Sequence, residues 1–159
     1  MHHHFKLDFI IYFHTGRGPS TAKPNPSYRE VCGGQTGHVE VYDFEFEGDE
    51  KTYENLIRHF YMFHDSTTLN RQGNDRGTQY ASVIFTYDEV QKQIAQKVTA
   101  EFQERLTQGK VGNSYEGKKV ATDIRDATIF YAAEDYHQEY LDNNPGGYCN
   151  HGYRFKSWD

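Results

Sequence analysis

Apolar positions along the chain alternate between two spacings, which predicts short strands separated by two amphipathic helices. Residues 5–13, FKLDFIIYF, are apolar enough for a strand, although their alternation is broken. From 14 to 26, Gly16, Gly18, Pro19, Pro24 and Pro26 exclude a regular helix, and Tyr28–Cys32 has room for a single helical turn. A clear strand follows over 39–46. Its period of two sets Glu40, Tyr42, Phe44 and Phe46 on one face and Val39, Val41, Asp43 and Glu45 on the other. After a turn at 47–51, Tyr53, Leu56, Ile57, Phe60, Tyr61 and Phe63 recur at helical spacing. They predict an amphipathic helix of about three turns, capped by Thr52 and closed by His64 beside its last carbonyls.

Residues 64–79 are polar, punctuated by Gly73 and Gly77, and run straight into an apolar strand at 80–87. A loop this long with no regular element is uncommon unless it binds something. Asp65, Asn70, Arg71, Gln72, Asn74, Asp75 and Gln79 carry enough hydrogen-bonding groups to hold it in one shape, with Tyr80 at its mouth. The longest helix is expected over 88–106. Asp88 caps it, Gln91 stands three on as in a capping box, and Val90, Ile94, Val98, Phe102 and Leu106 form its buried stripe. Gly109, Gly112 and Gly117 mark turns, 119–124 reads as an edge strand, and 134–141 as a compact helix presenting Tyr136, His137 and Tyr140. The tail from Cys149 onward has no pattern that assigns it. The fold class is therefore α/β in the two-layer α+β sense: a small, mostly antiparallel sheet with helices packed on one side. No glycine fingerprint links a first strand to a helix, which disfavours a doubly wound dinucleotide fold.

Composition narrows this. The 159 residues suit one domain spanning 1–159, and hydrophobic content is only 36%. Aromatics at 16% supply the shortfall, including thirteen tyrosines whose buried hydroxyls need partners. A net charge of −6 without a basic block argues against a nucleic-acid partner. No apolar run is long enough for a membrane span, so a soluble, cytoplasmic protein is expected. The opening MHHH is a tag remnant or a His-rich start. His59 and His64, five apart, do not share a helix face, so no metal site is expected. Cys32 and Cys149 do not make a disulfide framework. Glu40, on the aromatic side of its strand, is either at an open end or desolvated, in which case it becomes a proton donor near neutral pH.

Six segments in order resemble the A-type peptide methionine sulfoxide reductases: NPSYREVC (25–32), TGHVEV (36–41), TYENLIRHFYMFHD (52–65), TLNRQGNDRGTQY (68–80), FYAAEDYHQEYL (130–141) and NPGGYC (144–149). The resemblance covers about 23–149, with 1–22 and 150–159 divergent. It implies a ferredoxin-like core and reduction of methionine S-sulfoxide, free or in proteins. No cofactor is implied beyond thioredoxin or another dithiol as reductant. By the resemblance Glu40 is the proton donor, and Tyr28 and Tyr80 direct hydroxyls at the sulfoxide oxygen. Asp75 organises the pocket and Cys149 is the resolving cysteine. Tyr131, Glu134, Asp135 and His137 are read as supporting residues around it.

The sequence departs from that family in one respect. The family's nucleophile lies in a glycine–cysteine–phenylalanine–tryptophan segment between its first strand and first helix. Here the only tryptophan is Trp158 and no cysteine precedes Cys32. The expectation is a chain lacking that strand-plus-helix unit, with residues 5–13 in the place of the second strand. Three readings follow: a truncated or inactive reductase, a reductase using Cys32 as substitute nucleophile, and a non-catalytic module that binds methionine side chains or a partner. Core exposed by a missing strand would favour a homodimer.

Overall fold

The computed structural model of the chain describes residues 3–9, 16–17, 22–138, 140–148 and 151–158, with backbone alone at 3–9, 16–17, His137 and Leu141. In chain order the strands are β1 (His3–Phe9), β2 (Gly16–Arg17), β3 (Val39–Glu40), β4 (Tyr42–Gly48), β5 (Arg71–Gln72), β6 (Asp75–Arg76), β7 (Val83–Thr86), β8 (Asp123–Asp126) and β9 (Phe130–Tyr131). The α-helices are α1 (Tyr28–Cys32), α2 (Glu50–Phe63), α3 (Glu89–Thr107) and α4 (Tyr140–Asn143).

The main sheet has the order β4-β1-β7-β8. β1 lies inside it, antiparallel to β4 from His3 opposite Gly48 to Phe9 opposite Tyr42, and antiparallel to β7 at Asp8 opposite Phe85. Residues 3–9 thus hold an interior position in the main sheet. β7 and β8 run parallel, joined through α3, so the sheet is mixed with antiparallel pairs in the majority. α2 and α3 touch each other, α2 touches β4, and α3 touches β7 and β8, which puts both long helices in one layer. Tyr61 stacks on Phe102 at 4.6 Å between them. Glu54 joins the helices at their surface, taking Arg58 at 2.7 Å and Lys97 at 3.0 Å. Among the described residues no helix is long and apolar enough to cross a membrane.

Several expected elements are placed differently. The strand expected over 39–46 breaks at the buried Val41, and its halves enter different sheets. β3 joins a small sheet in the order β3-β2-β9, and β4 joins the main one. Glu40 therefore does not share a strand face with Phe44 and Phe46. Helix α2 begins earlier than expected and is capped by Asp49, not Thr52. Asp49 accepts the Thr52 N–H at 2.8 Å and its hydroxyl at 2.9 Å, while Thr52 Oγ1 accepts the Asp49 N–H in return. Residues Thr78–Tyr80 form a 3₁₀ turn, leaving only Val83–Thr86 as strand.

In α3 the buried stripe is Gln91, Ala95, Val98, Phe102 and Leu106, and Val90 is exposed. Gln91 tolerates burial because its amide oxygen accepts the Tyr87 N–H at 2.9 Å while its own N–H goes to the Asp88 carboxylate. The edge strand forms at 123–126 because the backbone just before it is used elsewhere. Val120 N–H donates to Gln103 Oε1, and Ala121 N–H donates to Ser66 O. The helix expected over 134–141 divides into a 3₁₀ turn, Asp135–His137, and α4.

The unassigned tail closes the molecule. Gly152 N–H and Arg154 N–H donate to Phe63 O and Met62 O at the end of α2. Trp158 lies against Phe102 and Phe155, its ring between the guanidinium groups of Arg58 and Arg105.

Candidate functional site

The site is assembled from α1, β3 and the long loop between α2 and β7. α1 is short but fixed at both ends. At its start the Glu30 carboxylate accepts the Ser27 N–H at 2.9 Å and pairs with Lys23, and the Tyr28 N–H donates to Glu134 at 3.1 Å from far along the chain. At its end Gln79 Nε2 donates to Cys32 O at 2.9 Å, and Thr78 Oγ1 donates to Gly34 O at 3.0 Å.

The loop is ordered, as its polar content predicted, by its own side chains. Gln72 and Asp65 clasp one another: Gln72 Oε1 accepts the Asp65 N–H at 3.0 Å, and Gln72 Nε2 donates to Asp65 O. Asp65 Oδ1 accepts from Thr67, and Asp65 Oδ2 accepts the Glu116 N–H. Between these ties β5 and β6 form a small hairpin that turns at Gly73, whose φ is 57°, and sets Gln72 opposite Asp75. The loop's base is secured by His64. Its Nδ1 meets Phe60 O at 2.6 Å and its Nε2 meets Ser82 Oγ at 2.8 Å, and burial pulls its pKa down to about 3, which favours the neutral ring.

These supports bring four groups together. The Tyr28 pKa is pushed up by its interaction with the Cys32 side chain, by burial, and by the charges of Cys32, Glu40 and Tyr80. Tyr80 is pushed up to about 12 by burial, then by the charges of Glu40, Cys32 and Asp75. Burial is the main cause raising the Cys32 thiol. The interaction with the Tyr28 side chain opposes it, and the charges of Glu40 and Glu134 add to it. Glu40 is 2% exposed, so it occupies the desolvated position and not an open strand end.

Of the residues singled out in the sequence, Tyr28, Cys32, Glu40 and Tyr80 act on one another, and Asp75 acts on Tyr80. Glu134 reaches both α1 and the thiol. Tyr131 shares a row with Glu40 across the small sheet, Gly16 lying opposite both, and its ring meets His38 edge-on at 5.6 Å. Asp135 is exposed. The side chain of His137, and Cys149 altogether, lie outside the described residues.

The sequence reading missed the tether from Glu134 to α1, because no local pattern links positions so far apart. It named Gln79 only as a loop-shaping residue. Among the described residues no group of three or more His, Cys, Asp or Glu is placed to hold a metal ion. A groove of about 720 Å³ between the starts of α2 and α3, lined by Asp49, Glu54, Asp88 and Lys97, is remote from this cluster.

Fold and site together describe a mixed α/β protein that gathers a buried carboxylate, two tyrosine hydroxyls and a thiol. Comparison with known proteins gives that description a family. Residues 14–157 match the family described as peptide methionine sulfoxide reductase. The peptide methionine sulfoxide reductase MsrA of Azotobacter vinelandii is 47% identical over 129 residues, which are 81% of this chain and 57% of the relative. That of Vibrio cholerae is 45% identical over 148 residues, 93% of this chain and 66% of the relative. Among solved structures, Mxr1 from Saccharomyces cerevisiae in reduced form superposes with a TM-score of 0.76 at 30% identity, covering 92% of this chain and 89% of that one. Methionine sulfoxide reductase A of Corynebacterium diphtheriae gives 0.68 at 30% identity, covering 93% and 77%. The chain belongs to the peptide methionine sulfoxide reductase family. It spans between 55% and 66% of the length of the curated relatives it matches.

Proposed function

We propose that this site reduces the S epimer of methionine sulfoxide, free or in proteins, at the expense of a thiol. The observation that carries the reading is the mutual coupling of Tyr28, Cys32, Glu40 and Tyr80 around a buried carboxylate. A sulfoxide oxygen gains negative charge as its sulfur is attacked, so it needs donors at that moment. Two tyrosines whose hydroxyls resist ionisation remain donors at any working pH. Glu40 is the group assigned to supply the proton. The attacking sulfur takes the oxygen and becomes a sulfenic acid while methionine leaves. A second thiol condenses with the sulfenic acid, releasing water and forming a disulfide. Thioredoxin or another dithiol then reduces that disulfide and is itself oxidised.

Among the described residues Cys32 is the cysteine beside Tyr28, and we assign it the attack, with Cys149 resolving. The family's glycine–cysteine–phenylalanine–tryptophan segment is not found in these 159 residues. Asp75 acts as a loop-side partner of Tyr80, and Tyr131, Glu134, Asp135 and His137 support the site. The accompanying fold reading is a single ferredoxin-like domain in which residues 3–9 serve as the central strand. With that strand in place, a homodimer is not needed to cover the sheet.

A second reading has one specific observation behind it. Cys32 is raised by burial and by two carboxylates, which keeps it a thiol at neutral pH and favours a module that binds methionine sulfoxide without turnover. The test is reduction of S-methionine sulfoxide by the purified chain with dithiothreitol, beside Cys32→Ser and Cys149→Ser. The proposal expects turnover that is abolished in Cys32→Ser and survives in Cys149→Ser because dithiothreitol can itself reduce the sulfenic acid. No turnover by the parent at any pH, with binding of the sulfoxide retained, would establish the second reading.

A further inference from the structure

We infer that His38 is a positioning residue: its ring fixes the segment that enters α1, and with it Tyr28, against the strand that carries Glu40. This rests on the reading above, in which Tyr28 donates to the sulfoxide oxygen and Glu40 supplies the proton. His38 is 3% exposed and immediately precedes β3. Its Nε2 lies 2.6 Å from Lys23 O. A backbone carbonyl can only accept, so Nε2 carries a hydrogen and donates it. Nδ1 is buried and meets no hydrogen-bond partner among the described residues, so the directed bond of this ring is the one to Lys23. An apolar side chain could fill the same space without burying an unmet nitrogen, so packing alone does not account for a histidine here.

The bond matters because of what lies between Lys23 and Tyr28. Lys23 is held a second time by its own N–H, which donates to Thr36 O at 3.1 Å, so both its backbone groups are pinned to the approach to β3. Pro24 and Pro26 then restrict the backbone, and Asn25 between them has a φ of 46°, in the left-handed region. A stiff link of this kind passes on the position of its first residue. Lys23 therefore sets where Ser27 caps α1 and where Tyr28 begins it. The start of α1 is tied again by the Glu134 carboxylate, which accepts the Tyr28 N–H at 3.1 Å. Glu134 follows closely on Tyr131, which lies in one row with Glu40 across the small sheet and whose ring meets the His38 ring edge-on at 5.6 Å. The ties thus close on themselves: β3 to Lys23 through His38, Lys23 to Tyr28 along the chain, Tyr28 to Glu134, and Glu134 back to the small sheet.

The experiment replaces His38 by leucine, which keeps bulk without a donor, and by glutamine, whose side-chain nitrogen can donate to the same carbonyl. Tyrosine is labelled with ¹³C at Cζ, and the Tyr28 resonance is assigned by its loss in Tyr28→Phe. In His38→Leu the Tyr28 resonance moves while that of the exposed Tyr153 stays. The kcat for methionine sulfoxide falls about tenfold at unchanged KM, the rate equivalent of one hydrogen bond, and His38→Gln restores most of both. If His38→Leu does not fold, the parent decides. With ¹⁵N-labelled histidine, the ring whose signals vanish in His38→Gln carries a hydrogen on Nε2. A hydrogen on Nδ1 alone overturns the assignment, as does an unmoved Tyr28 resonance in folded His38→Leu. An effect confined to KM, or a glutamine variant no better than the leucine one, overturns it as well. If the parent shows no turnover, the functional reading fails while the two resonances still test the clasp.

Discussion

Removing the Asp65 carboxylate is expected to loosen the whole segment that carries Asp75 and Tyr80. Asp65 is 1% exposed. Its Oδ1 accepts the Thr67 N–H at 3.0 Å and the Thr67 hydroxyl at 2.5 Å, its Oδ2 accepts the Glu116 N–H at 3.0 Å, and Arg154 Nη1 lies 3.6 Å away. Hydrogen bonds to a charged acceptor contribute about 1.5–3 kcal/mol each, so three at the low end give roughly 4.5 kcal/mol. Water can reach the exposed Glu116 and returns part of this, leaving about 3–4 kcal/mol for Asp65→Ala. Asp65→Asn keeps one accepting oxygen and loses the charge, so it should fall about halfway between. Equilibrium unfolding in urea measures both, with the slope checked for two-state behaviour. A loss below about 1 kcal/mol in Asp65→Ala would refute the reasoning, since it would mean the loop is held by something other than this carboxylate.

Two further outcomes are expected. His64 and His151 are both pulled down by burial, to about 3 and about 4, from an ordinary value of 6.5. The unfolded chain therefore binds more protons than the folded one below pH 6.5, and stability falls as pH drops from there toward 4, by at most about 1.4 kcal/mol per pH unit for each histidine. Urea midpoints taken from pH 7 to pH 5 should show the slope, and His64→Gln should flatten it; a flat parent profile would contradict the burial of these rings. Trp158→Ala removes a ring packed on Phe102 and Phe155 and an indole N–H that donates to Arg58 O at 3.2 Å, and should cost about 2–3 kcal/mol in thermal or urea unfolding. A loss under about 0.5 kcal/mol would show that the tail does not hold the helices together.

Much of the site was legible as a set of residues. Tyr28, Glu40, Asp75 and Tyr80 were singled out through the resemblance, and in the structure the charge of Glu40 bears on both Tyr28 and Tyr80, and that of Asp75 on Tyr80. The ties between them were not legible. The hydrogen bonds Glu134 to Tyr28 and Gln79 to Cys32 join positions with no periodic relation, so neither leaves a trace in a window of neighbouring residues. Likewise the stripe on α3 was predicted one position off. Hydrophobicity favoured Val90 and Ile94, whereas the fold buried Gln91 and Ala95 once Gln91 could satisfy the backbone of Tyr87.

By itself the sequence determined what local chemistry dictates: where α2 and α3 run, that Asp88 caps the second of them, and that the stretch after His64 would be an ordered polar loop. Helix periodicity, capping and turn formation depend on residues a few positions apart, so they are written along the chain. Only the tertiary structure decided that the strand at 39–46 would break at Val41 and divide between two sheets. It alone placed residues 3–9 in the centre of the main sheet and folded the aromatic tail over α2 and α3. Strand partners and long-range packing are chosen by the competition of every segment for the same buried surface, and that competition has no local signature.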